Sequence, residues 1–181
     1  MKKHLLAFFF LAFCAANFLL FGETLPSGFG GVELGMGLDD AKAALKSNSD
    51  FGYAGDRDVS LLPGDNRVLI ETDSYNMQHH GFLTRCWFQF YEESLYSIII
   101  NFNPERLDHY SIYTTLVKKY GEPEEFSPER SVWKNDDVTM SLERPLSIKY
   151  IDNKISEKIS QQSLVQKNGY EITRENFLDS L

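Results

Sequence analysis

From Phe82 to Tyr91 and again from Leu95 to Phe102 the chain reads FLTRCWFQFY and LYSIIINF, with Glu92-Glu93-Ser94 between them. Two runs rich in aromatic and β-branched residues, parted by a short polar link, predict an antiparallel hairpin. A hairpin this apolar cannot stand alone in water, so the rest of the sequence has to supply a cover for one of its faces. Side chains alternate along a strand, which sends Phe82, Thr84, Cys86, Phe88 and Phe90 to one face and Leu83, Arg85, Trp87, Gln89 and Tyr91 to the other. The first set is the core face. A cysteine among phenylalanines acts there as a small hydrophobe rather than as a nucleophile.

Two segments have the pattern of a covering helix. Leu38-Asp39-Asp40-Ala41-Lys42-Ala43-Ala44-Leu45 places acids in its first turn and Leu38, Ala41 and Leu45 on one side. The second is expected to open at Pro104 with Asn103 as its cap. Tyr110, Tyr113, Leu116, Val117 and Tyr120 supply its apolar side, and Gly121 and Pro123 end it. Further strands are expected over 58–62 and 67–73, split by the turn Pro63-Gly64-Asp65-Asn66, and over 138–143 and 146–150, split by Arg144-Pro145. Gly28-Phe29-Gly30-Gly31 reads as a flexible lead. Beyond Asp152 a thin stripe of Ile155 and Ile159 predicts a marginal helix, and 173–178 a separate capped turn. The order is helix and meander, used twice. That is an α+β fold of two layers, an antiparallel sheet packed by helices.

The first residues bear on location. Lys2, Lys3 and His4 precede a charge-free apolar run from Leu5 to Phe21, the layout of a secretory signal peptide. The expected division is a signal peptide over 1–22, one α+β domain over 23–152 and a C-terminal extension over 153–181. Two alternatives stay open, an uncleaved anchor and a lipid carried on Cys14. Without residues 1–22 the chain keeps sixteen basic against twenty-six acidic residues, a net charge of about −10. Such a chain is repelled by phosphate backbones, so nucleic acid is not an expected partner. Contact with a membrane is expected only through the signal anchor or the Cys14 lipid. Cys86 alone remains of the cysteines, so no internal disulfide staples the fold.

Chemistry-bearing constellations are sparse. His79 and His80 are adjacent rather than spaced as metal ligands are, and they precede Gly81 in a polar loop. No Gly-x-Ser-x-Gly elbow and no phosphate-cradling lysine motif is present. Glu92-Glu93, Glu124-Glu125 and Asp136-Asp137 fall in turns, where carboxylates are solvated. No catalytic residue, cofactor or metal is assigned. Trp87 stands on the wetter face, and with Leu83, Leu95 and Ile99 it is expected to form an apolar patch that the C-terminal segment or a partner protein covers. Trp87, Leu95 and Ile99 are the candidate protein-binding residues.

The stretch from Gly30 to Leu45, GGVELGMGLDDAKAAL, resembles the entry helix of small exported bacterial α+β modules. Leu116-Val117-Lys118-Lys119-Tyr120-Gly121-Glu122-Pro123, with Trp133 and alternating strands beyond it, resembles their second helix. Over residues 29–151 the likeness is to outer-membrane-assembly lipoproteins of BamE type and, in plan, to the β-lactamase-inhibitor-protein fold. It implies a protein-binding scaffold outside the cytoplasm, periplasmic or attached to the outer membrane, acting on another envelope protein. The glycine-proline element follows the second helix here rather than the first, and no functional residue carries over. A second expectation is a periplasmic small-molecule or metal-binding protein, with or without enzymatic activity, that uses the His79-His80 loop near Trp87.

Overall fold

The hairpin foreseen at residues 82–102 lies near the centre of an eight-stranded antiparallel sheet in the computed structural model. The structure describes residues 24–63, 66–74 and 81–180. The expected signal peptide, Cys14 and the His79-His80 pair lie outside them. A small ladder of β1 (Gly28–Phe29) and β2 (Val32–Glu33) opens the described chain, followed by α1 (Leu38–Ser47). Then come β3 (Val59–Leu61), β4 (Arg67–Asp73), β5 (Leu83–Tyr91) and β6 (Ser94–Phe102). The second half starts with α2 (His109–Tyr120) and continues through β7 (Glu125–Phe126), β8 (Arg130–Lys134), β9 (Val138–Glu143) and β10 (Ser147–Asp152). A long helix, α3 (Asn153–Asp179), follows directly.

The strand order is β3-β4-β5-β6-β10-β9-β8-β7. Each half is thus one helix and a four-strand meander, and the last strands of the two meanders pair along β6 and β10. The α+β assignment holds. Rows of apolar side chains cross the sheet on its core face. One runs from Ile70 through Phe88, Ile98, Tyr150 and Met140 to Trp133, and the next takes in Cys86, Ile100, Ile148 and Leu142. Phe88, Cys86, Ile98, Ile100, Met140 and Leu142 are completely buried. Burial of each large apolar side chain here contributes roughly 1.5–3 kcal/mol. Ala41 and Leu45 of α1, Phe51 of a short 3₁₀ turn, and Ile112 and Leu116 of α2 close that layer from above. Trp133 ties α2 to β8 by donating its indole N–H to the Gly121 carbonyl at 2.8 Å.

Several local expectations are corrected. The glycine-rich lead is not slack: Gly30 and Gly31, both with positive φ, make the turn between β1 and β2. Asn103 caps a single turn, accepting from the Glu105 N–H, while α2 itself begins five residues after Pro104, where the Asp108 carboxylate accepts from the Ser111 N–H at 2.9 Å. Ile112 and Leu116 face the core, and Tyr110, in the first turn, stands 73% exposed. The short strands β7 and β8 have too few residues to show a period. Residues 173–178 are no separate turn; they end α3.

Candidate protein-binding face

Two β-bulges decide which residues reach the second face of the sheet. Cys86 pairs with Ile100, but Leu83 pairs with Phe102, so β5 carries one extra residue between them. The extra residue reverses the alternation: Leu83 turns into the core at 4% exposure and Phe82 turns out at 57%. A second irregularity follows where Gln89 pairs with Ser97 and Phe90 with Leu95, leaving Tyr96 as the added residue of β6. Leu95 is thereby rotated onto the core face, where it is fully buried. Its backbone explains the choice. The Leu95 carbonyl accepts from the Gly35 N–H at 2.8 Å, and its N–H donates to the Met36 carbonyl at 2.9 Å, so the segment leading into α1 pulls it inward.

Of the three candidate residues, then, Trp87 and Ile99 share the second face and Leu95 does not. Trp87 and Ile99 pair directly across β5 and β6, and both are half-buried. The same row continues to Lys149 on β10 and to Glu71 on β4. Arg85 lies one step along, its guanidinium 3.2 Å from Glu71 and 3.5 Å from Asp73. The result is a small apolar strip with a charged rim.

One end of this face is covered by α3. Asp152 caps the helix by accepting from the Ile155 N–H at 2.9 Å, which turns the chain back over the sheet as soon as β10 ends. Ile155 and Ile159 are half-buried beneath it. Between helix and sheet runs a groove lined by Gln89, Ile99, Lys149, Ile151, Ser156 and Ile159. Its borders are polar. Lys154 reaches Asp137 at 2.7 Å, and the Tyr91 hydroxyl donates to the Gln162 side-chain carbonyl at 2.7 Å. Lys158 pairs with Glu92, and the Lys158 ammonium holds the Glu92 carboxyl below its ordinary pKa. Tyr91, assigned from alternation to the wetter face, is only 7% exposed, with Arg67 and Lys158 both over its ring. Lys149 and Ile151 complete the groove without having been singled out in the sequence. Their signal was present, since they alternate with Ile148 and Tyr150.

Cys86 lies on the core face opposite Thr72, and burial pushes its thiol up to about 12, against the weaker pull of the Asn101 backbone and the Thr72 hydroxyl. Such a thiol is protonated at neutral pH and is no nucleophile. Among the described residues no group of three His, Cys, Asp or Glu side chains is placed to hold a metal ion. A residue that sequence reasoning passed over is His109, at the start of α2. It borders a hollow formed with Thr84, Phe102, Leu107, Pro145 and Leu146. Its Nε2 is buried without a partner, and desolvation, then the Arg144 charge, lower its pKa.

No helix among the described residues is long and apolar enough to cross a membrane. No curated protein and no solved structure shows a significant match to the chain. A family model does match, the TP0088 domain, over residues 27–162, which takes in both meanders and the docked first turns of α3. The chain belongs to the TP0088 domain family.

Proposed function

We propose that this chain is a non-catalytic, exported envelope protein that binds another protein through the second face of its sheet, beside α3. The observation that carries the reading is the Trp87–Ile99 pair, half-exposed on the floor of a strip whose rim is charged. Large aromatic side chains ringed by polar groups are the residues that dominate binding energy at protein interfaces. The apolar start of the chain and the resemblance of its two helix segments to BamE-type and β-lactamase-inhibitor-like modules support the same reading. The partner presents an apolar ridge between polar edges, and it adds to the cover that α3 provides over one end.

A photo-crosslinking amino acid at position 99, introduced into the full chain in intact cells, tests this. One adduct of discrete mass is expected, and Trp87→Ala in the same chain is expected to reduce its yield about tenfold or more, the loss of a central aromatic anchor. A chain that gives no adduct at position 99, or an adduct indifferent to Trp87→Ala, overturns the proposal.

A further inference from the structure

Two lysines on the second face of the sheet stand without a counter-charge. Lys149 of β10 is half-buried and Lys134 of β8 is exposed, and neither forms an ion pair among the described residues. Their neighbours on α3 differ: Lys154 pairs with Asp137 and Lys158 with Glu92. The chain has 26 acidic residues against 18 basic ones, yet no described carboxylate is placed to neutralise the two lysines of the sheet. Both open into one hollow of about 590 Å³ beside the first turns of α3, lined also by Thr139, Ile151, Ser156 and Glu157. Glu157 is the single carboxylate of that lining, and it already accepts from the Gln161 amide at 3.2 Å. The hollow is therefore net positive on a protein that is net negative.

The register explains why the lysines converge. Lys149 pairs with Ser141 and Lys134 with Thr139, two positions apart on β9, so both leave the same face in adjacent rows. The Lys149 row continues to Ile99 and Trp87. Neighbouring strands lie about 4.8 Å apart, which sets Lys149 about 5 Å from Ile99 and about 10 Å from Trp87 across the sheet. Lys149, Ile151 and Ser156 line both this hollow and the groove that reaches Ile99. A chain seated on the apolar strip thus runs on to two ammonium groups that lack a counter-ion. Phosphate suits the site poorly. The backbone N–H groups of a helix start are its usual cradle, but here the Asn153 N–H donates to the Asp137 carbonyl and the Ile155 N–H to the Asp152 carboxylate. An anionic bilayer is repelled by the net charge of −8.

We infer that this hollow takes the carboxylates of an acidic segment of the partner protein, the same segment whose apolar residue sits on Trp87 and Ile99. The inference rests on the protein-binding reading and adds to it the chemistry of the partner: an apolar side chain followed, within about 10 Å, by Asp or Glu residues. Lys149, next to the strip, meets the first carboxylate, and Lys134 reaches the next. Each such pair is open to solvent and adds little affinity by itself; together they decide which apolar ridge is accepted.

A water-soluble carbodiimide, which couples an amine only to a carboxylate in contact with it, tests this on envelopes that hold the full chain. An isopeptide adduct mapping to Lys134 or Lys149 is expected, carrying the same protein as the photo-adduct at position 99. Lys134→Arg with Lys149→Arg keeps the charge but removes the amine, so that adduct is expected to vanish. Lys134→Glu with Lys149→Glu is expected to lower the photo-adduct at position 99 about tenfold, and the arginine pair to restore most of it. A photo-adduct indifferent to the glutamate pair, or one that forms without an isopeptide adduct, overturns this inference and leaves the protein-binding reading standing. An isopeptide adduct at these lysines without a photo-adduct at position 99 does the reverse, and absence of both overturns both. Binding of the native chain to phosphatidylglycerol vesicles that the glutamate pair abolishes assigns the hollow to lipid headgroups and also overturns the inference.

Discussion

Lys158 of α3 lies over the ring of Tyr91, 5.3 Å from its centroid, while its ammonium pairs with Glu92 at the tip of the next turn. One side chain of the helix therefore grips both an aromatic face and a carboxylate on the β5–β6 hairpin. The Lys158–Glu92 pair is about half exposed, so that part of the hold is weak and reversible. Lys158→Glu sets a second carboxylate against Glu92 and removes the cation over Tyr91. The expected result is severalfold faster amide hydrogen exchange in residues 155–162, with exchange in β6 and β10 unchanged. Exchange that stays the same throughout α3 would show that Ile155 and Ile159 suffice to hold it.

The turn between β5 and β6 runs through Glu92 and Glu93 with φ of 48° and 66°. Side chains other than Gly, Asn and Asp strain there, at about 1 kcal/mol or more per residue. Glu93 makes no side-chain hydrogen bond or ion pair among the described residues to balance that strain, whereas Glu92 holds Lys158. Glu93→Gly is expected to stabilise the fold by about 0.5–1 kcal/mol, read from denaturant midpoints. A destabilised variant would assign Glu93 a contact that offsets its backbone.

Phe88 sits against the ring of Phe51 at 5.6 Å between centroids, nearly edge to face, and neither is exposed. Phe88→Ala removes that contact and opens a cavity between sheet and cover, at an expected cost of about 3–5 kcal/mol. Trp87→Ala, one residue away on the other face, is expected to cost well under half as much. Chemical denaturation of the two variants checks the order, and a reversal would mean that the apolar layer lies on the wrong side of the sheet.

Cys86 offers a probe of the same layer. With its thiol pushed up to about 12 by burial, labelling by a disulfide reagent at pH 8 is expected to wait on unfolding. Labelling of the native protein as fast as that of a free thiol would place Cys86 at the surface.

His109 has its pKa lowered from 6.5, first by desolvation. The folded state therefore binds this proton less readily than the unfolded chain does. Its contribution is complete above the unfolded value of about 6.5 and declines as the pH falls through that value towards the folded one. His109→Gln is expected to flatten the fall in stability between about pH 7 and about pH 5.5, measured against the native chain. An identical slope in both proteins would rule out a linked proton at His109.

The hairpin, α1 and the alternation of β9 and β10 were legible because each rests on a local period that the core face enforces. Leu95 was not, because its orientation is decided far away. Gly35 and Met36 take its backbone bonds, and a one-residue bulge is the consequence, with nothing in LYSIIINF to announce it. Leu83 and Phe82 exchanged faces for the same kind of reason. The start of α2 was misplaced because Pro104 and Asp108 are both sound openings, and only the burial of Ile112 and Leu116 chooses between them. Trp87 and Ile99 were placed on the correct face because no bulge separates them from Cys86, Phe88 and Ile100. The groove under α3 depended on a helix that the sequence rated as marginal.

The outermost strands of the large sheet are also its shortest, three residues in β3 and two in β7, and each is the first strand of its own meander. A long unpaired margin would offer a ladder of free amides and carbonyls to any passing strand. Here both edge strands run out after two or three residues, so each offers only a short template on which a fibre could grow. The apolar side chains at those margins, Leu61 and Phe126, can attract a neighbour without giving it a strand to pair with.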